Sequence, residues 1–338
     1  METVTLTLDA IETLARTALE RAGTSSANAA SLAAGVVDAE REGIASHGLA
    51  YVPTYCEHVR CGKVDGGAAP MLALPRPGAV FVDAATGFAH PAIDAGLDPL
   101  MAAARINGVA VMGITNSYNC GVLGFHTKRI AQGGLIGLGF TNAPASIAPA
   151  GGTQAVVGTN PFSLAVPAAE GGAPVMVIDQ SASVIAKSEV MKRAREGEPI
   201  PEGWVLDAEG RPTTDAEAGL KGTMVPSGGY KGFGAALLVE VMAAALSGAT
   251  LGLDASPFSG TAGGPPKTGQ AFIAIDPGTF DGAVFAERMT RLTGAITAQE
   301  GAQLHGAKRA AAAAAAALRE HLEDHPGEVP AGLDVVRV

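Results

Sequence analysis

The sequence predicts an α/β protein, a sheet domain attached to a helical N-terminal part, and three observations carry that prediction. Apolar residues recur at helical spacing from residue 6 to about residue 62. From residue 79 onward, short apolar runs of strand length alternate with Ala-rich helical stretches. The G-x-G-x-x-G run that opens the commonest nucleotide-binding α/β fold is absent from the 338 residues.

The elements follow in order. A first helix starts after Thr7, with Leu8, Ile11, Leu14, Ala15 and Leu19 on one face. Residues 31–42 are Ala/Val-rich and end in Glu40-Arg41-Glu42 and Gly43, a second helix. Residues 49–59 carry Val52, Tyr55, Cys56 and Val59 at helical spacing, a third. Residues 62–77 read as a Gly/Pro-rich connector. Strands are expected at 79–83, 108–115, 135–141, 162–166, 175–179 and 271–276. Helices are expected at 90–106, 123–132, 231–247, 279–297 and, in an alanine run, 308–323.

Composition narrows the function. The chain is 47% hydrophobic but only 4% aromatic, so the core is built from Ala, Val, Leu and Ile. A formal net charge of −10 with no basic run argues against nucleic-acid binding. No apolar stretch of roughly 18 residues reads as a membrane span. The start Met1-Glu2-Thr3-Val4 lacks an export signal, so a cytoplasmic location is expected. Cys56, Cys61 and Cys120 make an odd count without zinc-like spacing, so no metal is expected. A Cys56–Cys61 disulfide is disfavoured in a reducing compartment.

The P-loop, G-x-S-x-G and H-E-x-x-H motifs are all missing, which removes support for an NTPase, a serine hydrolase and a zincin. Polar residues concentrate elsewhere. Ser46-His47-Gly48 sits between the second and third helices. There Ser46 can cap the third helix, and its dipole would disfavour a charged His47. That suits proton transfer, and it equally suits an ordinary cap beside a surface histidine. Thr115 to Gly121 joins a strand to a helix whose first amides favour an anion, or is simply a turn rich in capping residues. Gly158-Thr159-Asn160-Pro161 is a tight turn. Asp179 ends a strand and is followed by hydroxyls at an expected helix start, where it can cap that helix or orient a histidine or serine. Lys231 stands among glycines at an expected buried helix entry, where it can meet a phosphate or carboxylate.

In this order the segments resemble the type-2 malate/L-lactate dehydrogenase family, with its 3-sulfolactate, ureidoglycolate and 2,3-diketogulonate oxidoreductases and Δ1-piperideine-2-carboxylate reductases. The resemblance runs from about Ile11 to Arg309. It rests on Ser46-His47-Gly48, the Asn116–Gly121 turn, Gly158-Thr159-Asn160-Pro161, Ile200-Pro201-Glu202-Gly203-Trp204 with Asp207, Pro212-Thr213-Thr214-Asp215, and Lys231-Gly232. It implies a mixed-sheet NAD(P)-binding domain of non-Rossmann type over residues 76–279. The helical part, 1–75, would be joined by C-terminal helices within 280–338. It also implies NAD or NADP as cofactor and a homodimer with the site near the subunit boundary.

By the same resemblance His47 matches the proton donor, and Ser46 and Asp179 the pair that relays to it. Cofactor-contacting positions match Asn119, Cys120, Gly121, Val122, Leu123, Met176, Ile178, Gln180, Ser181, Tyr230, Lys231, Gly306 and Lys308. Tyr51, Asn119, Thr159 and Asn160 fall at the substrate. The implied reaction interconverts a small 2-oxo acid and a 2-hydroxy acid by hydride transfer. The alternative is reduction of cyclic or N-alkyl imino acids. A non-catalytic binding homologue is disfavoured by the retained Ser46, His47, Asp179 and Lys231. The chain departs from the family pattern in placing Tyr51 where an arginine is usual, and Asn119 where a histidine is usual. The stretch Leu304-His305-Gly306-Ala307-Lys308-Arg309 also lacks the customary proline and glutamate. A phenol cannot reproduce the charged, two-pronged grip of a guanidinium.

Overall fold

The computed structural model describes residues 6–169 and 171–324, the side chains up to 319. Thr7 caps α1 (Leu8–Ala22), its hydroxyl accepting the Ala10 N–H at 3.1 Å, and Gly23 ends that helix at φ 109°. α2 (Ser26–Arg41) starts five residues earlier than its apolar pattern suggests, because Ser25 caps it. Two short 3₁₀ turns, Ala45–His47 and Leu49–Tyr51, lead into α3 (Val52–Arg60). The three helices close on a core of Leu19, Leu32, Val36, Val52 and Tyr55, completed by Phe88 and Tyr118 from the sheet domain. The Asn28 side-chain amide donates to the carbonyls of Gly66 and Ala68, binding the connector to α2.

The main sheet has seven strands in the order β1-β2-β3-β9-β4-β5-β6. They are β1 (Met71–Arg76), β2 (Ala79–Asp83), β3 (Val109–Ser117), β4 (Ile136–Thr141), β5 (Phe162–Val166), β6 (Met176–Gln180) and β9 (Thr268–Ile275). β2 and β3 are parallel, connected by α4 (Ala89–Asn107), and the other neighbours are antiparallel. The sheet is therefore mixed. β1 lies inside the stretch expected to be a connector. All six of its residues are exposed and Pro75 interrupts its donors, so it carries no apolar alternation that would reveal an edge strand.

α4 and α5 (Leu123–Gln132) cover one face, burying Val82, Ile93, Leu100, Met112, Ile114, Leu123, Ile130 and Phe272. On the other face Phe140 and Ala271 meet Val239 and Ala243. Those two residues lie on α8 (Tyr230–Glu240) and the π turn Val241–Ala245 that continues it. Gly269 makes this approach possible, since a Cβ there would strike the Ala243 carbonyl. That carbonyl is already taken by the Ser247 hydroxyl at 2.5 Å.

A small lobe adds β7 (Val205–Leu206), β8 (Thr223–Met224), α6 (Lys187–Glu196) and α7 (Ala216–Lys221) around Ile147, Val157, Val190, Ile200 and Val205. α6 starts at Lys187, so Ser181 and Ser183 do not open a helix as expected. Their hydroxyls bond each other at 3.0 Å within a loop. α9 (Gly282–Thr297) is capped by Asp281 and has no buried residue. α10 (Ala307–Asp324) follows, and α10 and α2 are neighbours. Cys56, Cys61 and Cys120 are free thiols. Among the described residues, no helix is long and apolar enough to cross a membrane, and no cluster of His, Cys, Asp and Glu could hold a metal ion.

Candidate active site

His47 ends the first 3₁₀ turn, and Ser46 lies inside that turn rather than ahead of a helix. Its hydroxyl makes no cap and instead pairs with His47 Nδ1 at 3.0 Å. The turn is fastened from α2, where Glu40 Oε1 accepts the Leu49 N–H at 2.7 Å. A Cβ at Gly48 would collide with the Glu40 carboxylate, so a larger residue there would have to displace the group that holds the turn. The His47 pKa is lowered, chiefly by burial. Asp179 opposes that shift and Arg309 reinforces it. Burial rather than a helix dipole therefore tunes the ring.

Asp179 lies in β6 and is not free. Its Oδ2 meets Arg309 Nη1 at 2.8 Å and accepts the Gly124 N–H at 3.2 Å. Arg309, on the first turn of α10, was not singled out in the sequence for any role. Only its position in an altered motif could have drawn attention to it. The pair lines a cavity of about 330 Å³ with Val177, Leu304, Gly306 and Lys308. Gly306, at φ +83°, packs so closely that a Cβ would lie 2.9 Å from the Val177 carbonyl. Two cations, a glycine backbone and a helix N-terminus fit the diphosphate of a dinucleotide. Gly306 and Lys308 would hold it here, beside the residues around Asp179.

Tyr51 lies one turn beyond His47, with ring centroids 6.3 Å apart and planes 12° from parallel. The Asn119 amide donates to the Tyr51 hydroxyl at 3.4 Å, while its oxygen accepts the Gly121 N–H at 2.7 Å. Tyr51 meets Tyr55 edge-on at a centroid distance of 4.7 Å, and Tyr55 meets Tyr118 at 6.2 Å. Tyr118 in turn bonds Nδ1 of the fully buried His58. Behind them Tyr55, Phe88 and Phe258 pack edge-on. Neither His58 nor Tyr118 carries a sequence signal of its own.

The other expected site residues divide. Cys120, Val122 and Leu123 are buried, and the Cys120 carbonyl accepts from His126 Nε2 at 3.0 Å. Met176 and Ile178 are half-buried on β6, Gln180 is exposed at its end, and Ser181 follows it. Asn160 is fully buried. Its oxygen takes the Ala143 N–H, and its nitrogen reaches the Ala236 carbonyl and Glu240 Oε2 at 2.7 Å, so both ends of its amide hold the fold. Thr159, half-buried beside it, accepts the Ala182 N–H through its carbonyl. Tyr230 and Lys231 open α8 at an exposed entry, Tyr230 being 70% exposed, where a buried one was expected. Gly228 and Gly229, at φ +68° and +64°, carry the chain around the surface there.

A half-buried, turn-held histidine beside the Asp179–Arg309 ion pair, next to a cavity that Lys308 also lines, is an arrangement suited to moving a proton beside an anionic cofactor. The family model described as malate/L-lactate dehydrogenase matches residues 6–323, and the chain belongs to that family. It is an NAD(P)-dependent oxidoreductase acting on CH–OH or CH–NH groups. It is 41% identical over 305 residues to a (2R)-3-sulfolactate dehydrogenase (NADP(+)) of Chromohalobacter salexigens, covering 90% of each chain. Identity to a Δ1-pyrroline-2-carboxylate reductase of Pseudomonas fluorescens is 36% over 334 residues, 98% of this chain and 97% of the other. The crystal structure of the Δ1-piperideine-2-carboxylate reductase of Pseudomonas syringae pv. tomato superposes with a TM-score of 0.87 at 35% identity. That match covers 93% of this chain and 94% of the other.

Proposed function

We propose that the protein interconverts a small 2-oxo acid and the corresponding 2-hydroxy acid, with His47 as the proton donor. The observation that carries this reading is the His47 imidazole, held by Ser46 and balanced between Asp179 and Arg309. When bound, the nicotinamide cofactor supplies the hydride to the carbon beside the carboxylate. His47 delivers a proton to the oxygen on which negative charge develops, and the nearby Asp179 carboxylate favours the charged ring before transfer. Arg309 offsets that effect, which keeps the proton labile. The likeness to the sulfolactate dehydrogenase supports this substrate class.

A second reading is reduction of cyclic or N-alkyl imino acids, with His47 protonating nitrogen. Tyr51 favours it, because a neutral phenol stands near His47 where the family resemblance leads one to expect an arginine. The reductase relatives point the same way. Reduced-nicotinamide absorbance followed with 2-oxo acids, with 2-oxo acids plus methylamine, and with cyclic imines separates the two. Turnover confined to amine or imine mixtures rejects the hydroxy-acid reading, and no turnover with no cofactor binding rejects both.

The assembly we propose is a cytoplasmic homodimer. Leu237, Leu238, Val241 and Leu246 are exposed along α8 and beyond, Phe280 is 84% exposed, and α9 has no buried residue. These apolar surfaces suit cover by a second copy. The exposed Cys61 thiol suits a reducing compartment. Light scattering giving the mass of one chain would rule the dimer out.

A further inference from the structure

Lys63 is a lysine buried beneath a loop that is itself exposed. It is 1% exposed, and among the described residues it pairs with no carboxylate. Its ammonium instead donates to the carbonyls of Pro257 at 2.5 Å and Gly260 at 3.0 Å. A cation removed from water requires such acceptors. Here they come from residues 256–264, a stretch without helix or strand and mostly exposed. Gly260 and Gly263 turn it at φ +63° and +81°, and the Ser256 hydroxyl donates to the Gly264 carbonyl, closing the loop on itself. Two further groups hold it. His58 Nε2 faces the same Gly260 carbonyl at 3.0 Å, and since a carbonyl only accepts, Nε2 donates. The ring of Tyr118 meets the half-buried Phe258 of the loop edge-on at 5.4 Å.

These anchors lead back to the site from two directions. His58 lies in α3 and Lys63 just beyond it, the Lys63 N–H donating to the His58 carbonyl at 2.9 Å, and α3 starts from Tyr51. Tyr118 pairs its hydroxyl with His58 Nδ1 and precedes Asn119, whose amide reaches the Tyr51 hydroxyl at 3.4 Å. The contacts therefore close a ring through Tyr51, α3, Lys63 and His58, the loop, Tyr118 and Asn119. The last link, from Asn119 to Tyr51, is longer than the usual range for such a bond, so the rest of the ring sets the spacing of those two side chains. The loop has few apolar contacts, which makes its opening cheap. The proton-delivery and cofactor groups are held by other means. His47 is held by Ser46 and by the turn that Glu40 fastens, and Asp179 by Arg309 and Gly124.

We propose that Lys63 is a positioning residue for the substrate side of the site: with His58 it latches the 256–264 loop onto Tyr118 and so fixes the spacing of Tyr51 and Asn119. Release of the latch loosens the hold on substrate and leaves proton delivery and cofactor binding in place. The inference rests on the reading that Tyr51 and Asn119 face the substrate, and it goes beyond that reading by naming what holds them there.

The test is Lys63→Met, which keeps the buried stem and removes the donor. Hydrogen exchange of peptides covering 256–264 and 118–123 reads the latch without turnover. The Gly121 N–H, bonded to the Asn119 oxygen at 2.7 Å, lies in the second peptide. Both should exchange about ten-fold faster. Kinetics use NADPH with whichever of oxaloacetate and Δ1-piperideine-2-carboxylate the unaltered enzyme reduces. KM for that acid should rise about five- to ten-fold, while kcat stays within about two-fold and NADPH affinity is unchanged. Lys63→Arg keeps donors for both carbonyls and should recover most of the lost KM. Phe258→Ala frees the loop from Tyr118 without disturbing the buried lysine, and should reproduce both changes even where Lys63→Met folds poorly. Slow exchange in both peptides overturns the proposal, as does fast exchange at 256–264 alone, which severs the loop from Asn119. A parallel decline of KM, kcat and NADPH affinity in both variants also overturns it, since that is general damage. Fast exchange in both peptides with unchanged KM keeps the latch but removes Tyr51 and Asn119 from the substrate, and the positioning role with them. Should the unaltered enzyme reduce neither acid, the hydride-transfer reading falls by itself, and the two exchange rates alone decide the latch.

Discussion

Asp179 and Arg309, 130 positions apart in the chain, form an ion pair of 2.8 Å that joins the end of β6 to the first turn of α10. The pair acts on His47 with opposite signs, Asp179 raising its pKa and Arg309 lowering it. Reduction needs the protonated ring, so activity is lost as pH rises through the depressed His47 pKa. Removing the guanidinium in Arg309→Met leaves Asp179 unopposed and raises that pKa. The falling limb of kcat/KM for reduction should then move to higher pH, and Asp179→Asn should move it lower. A limb that stays in place in both variants would disconnect the pair from His47.

His47→Ala should lower the rate of reduction by about 10²- to 10⁴-fold, the range expected when a positioned proton donor is lost. Cofactor binding should change little, because the cavity at Gly306, Lys308 and Arg309 is built by other residues. Fluorescence titration of NADPH measures the second quantity alongside the first. Near-normal turnover in this variant would mean that another group delivers the proton.

Two histidines away from the chemistry make the fold acid-sensitive. His90 and His126 are buried with ring centroids 5.2 Å apart, and the Nδ1 atom of each lacks a partner among the described residues. Burial lowers the His90 pKa to about 4 and holds the His126 pKa well below its ordinary value. Below the ordinary value of 6.5, and down to about pH 4 for His90, the unfolded chain binds more protons than the native one, so stability is full above pH 6.5 and falls as the pH drops. His90 alone accounts for about 3 kcal/mol by pH 4. The melting temperature should therefore fall steeply from pH 7 to 4.5, and His90→Asn should flatten that slope. A slope unchanged by the substitution would place the acid sensitivity elsewhere.

Where local chemistry speaks, the sequence was readable. Thr7 reads as a helix start and is one, and the runs at 79–83 and 162–166 match β2 and β5 residue for residue. β1 was hidden because an edge strand with both faces exposed has no alternating pattern. Ser46 looked like a cap because capping chemistry is local, whereas its actual partner depends on Glu40 in α2 holding the turn. The same limit hid Arg309, Tyr118 and His58. Each gains its meaning only when strands or helices far apart in sequence meet, and a lone tyrosine or arginine carries no signal of that meeting. Glu240 was hidden inside a helix that reads as apolar throughout.

Glu240 yields the last prediction. It is only 7% exposed, and its carboxylate receives the Gly252 N–H at 2.6 Å, the Asn160 amide at 2.7 Å and the Asn142 amide at 3.4 Å. All three partners are donors, so the site demands a group that accepts on both oxygens. Glu240→Gln preserves shape but places an NH₂ against one of these donors, leaving two buried hydrogens facing each other. The cost should be about 1–3 kcal/mol, measured as a lower urea midpoint. Asn142 also accepts the Gly269 N–H at 2.8 Å, and Gly269 packs against the π turn, so the damage should reach that segment as well. Amide exchange at Gly252 and Gly269 should accelerate together in the variant. An unchanged midpoint with unchanged exchange would show that the carboxylate does not hold these loops.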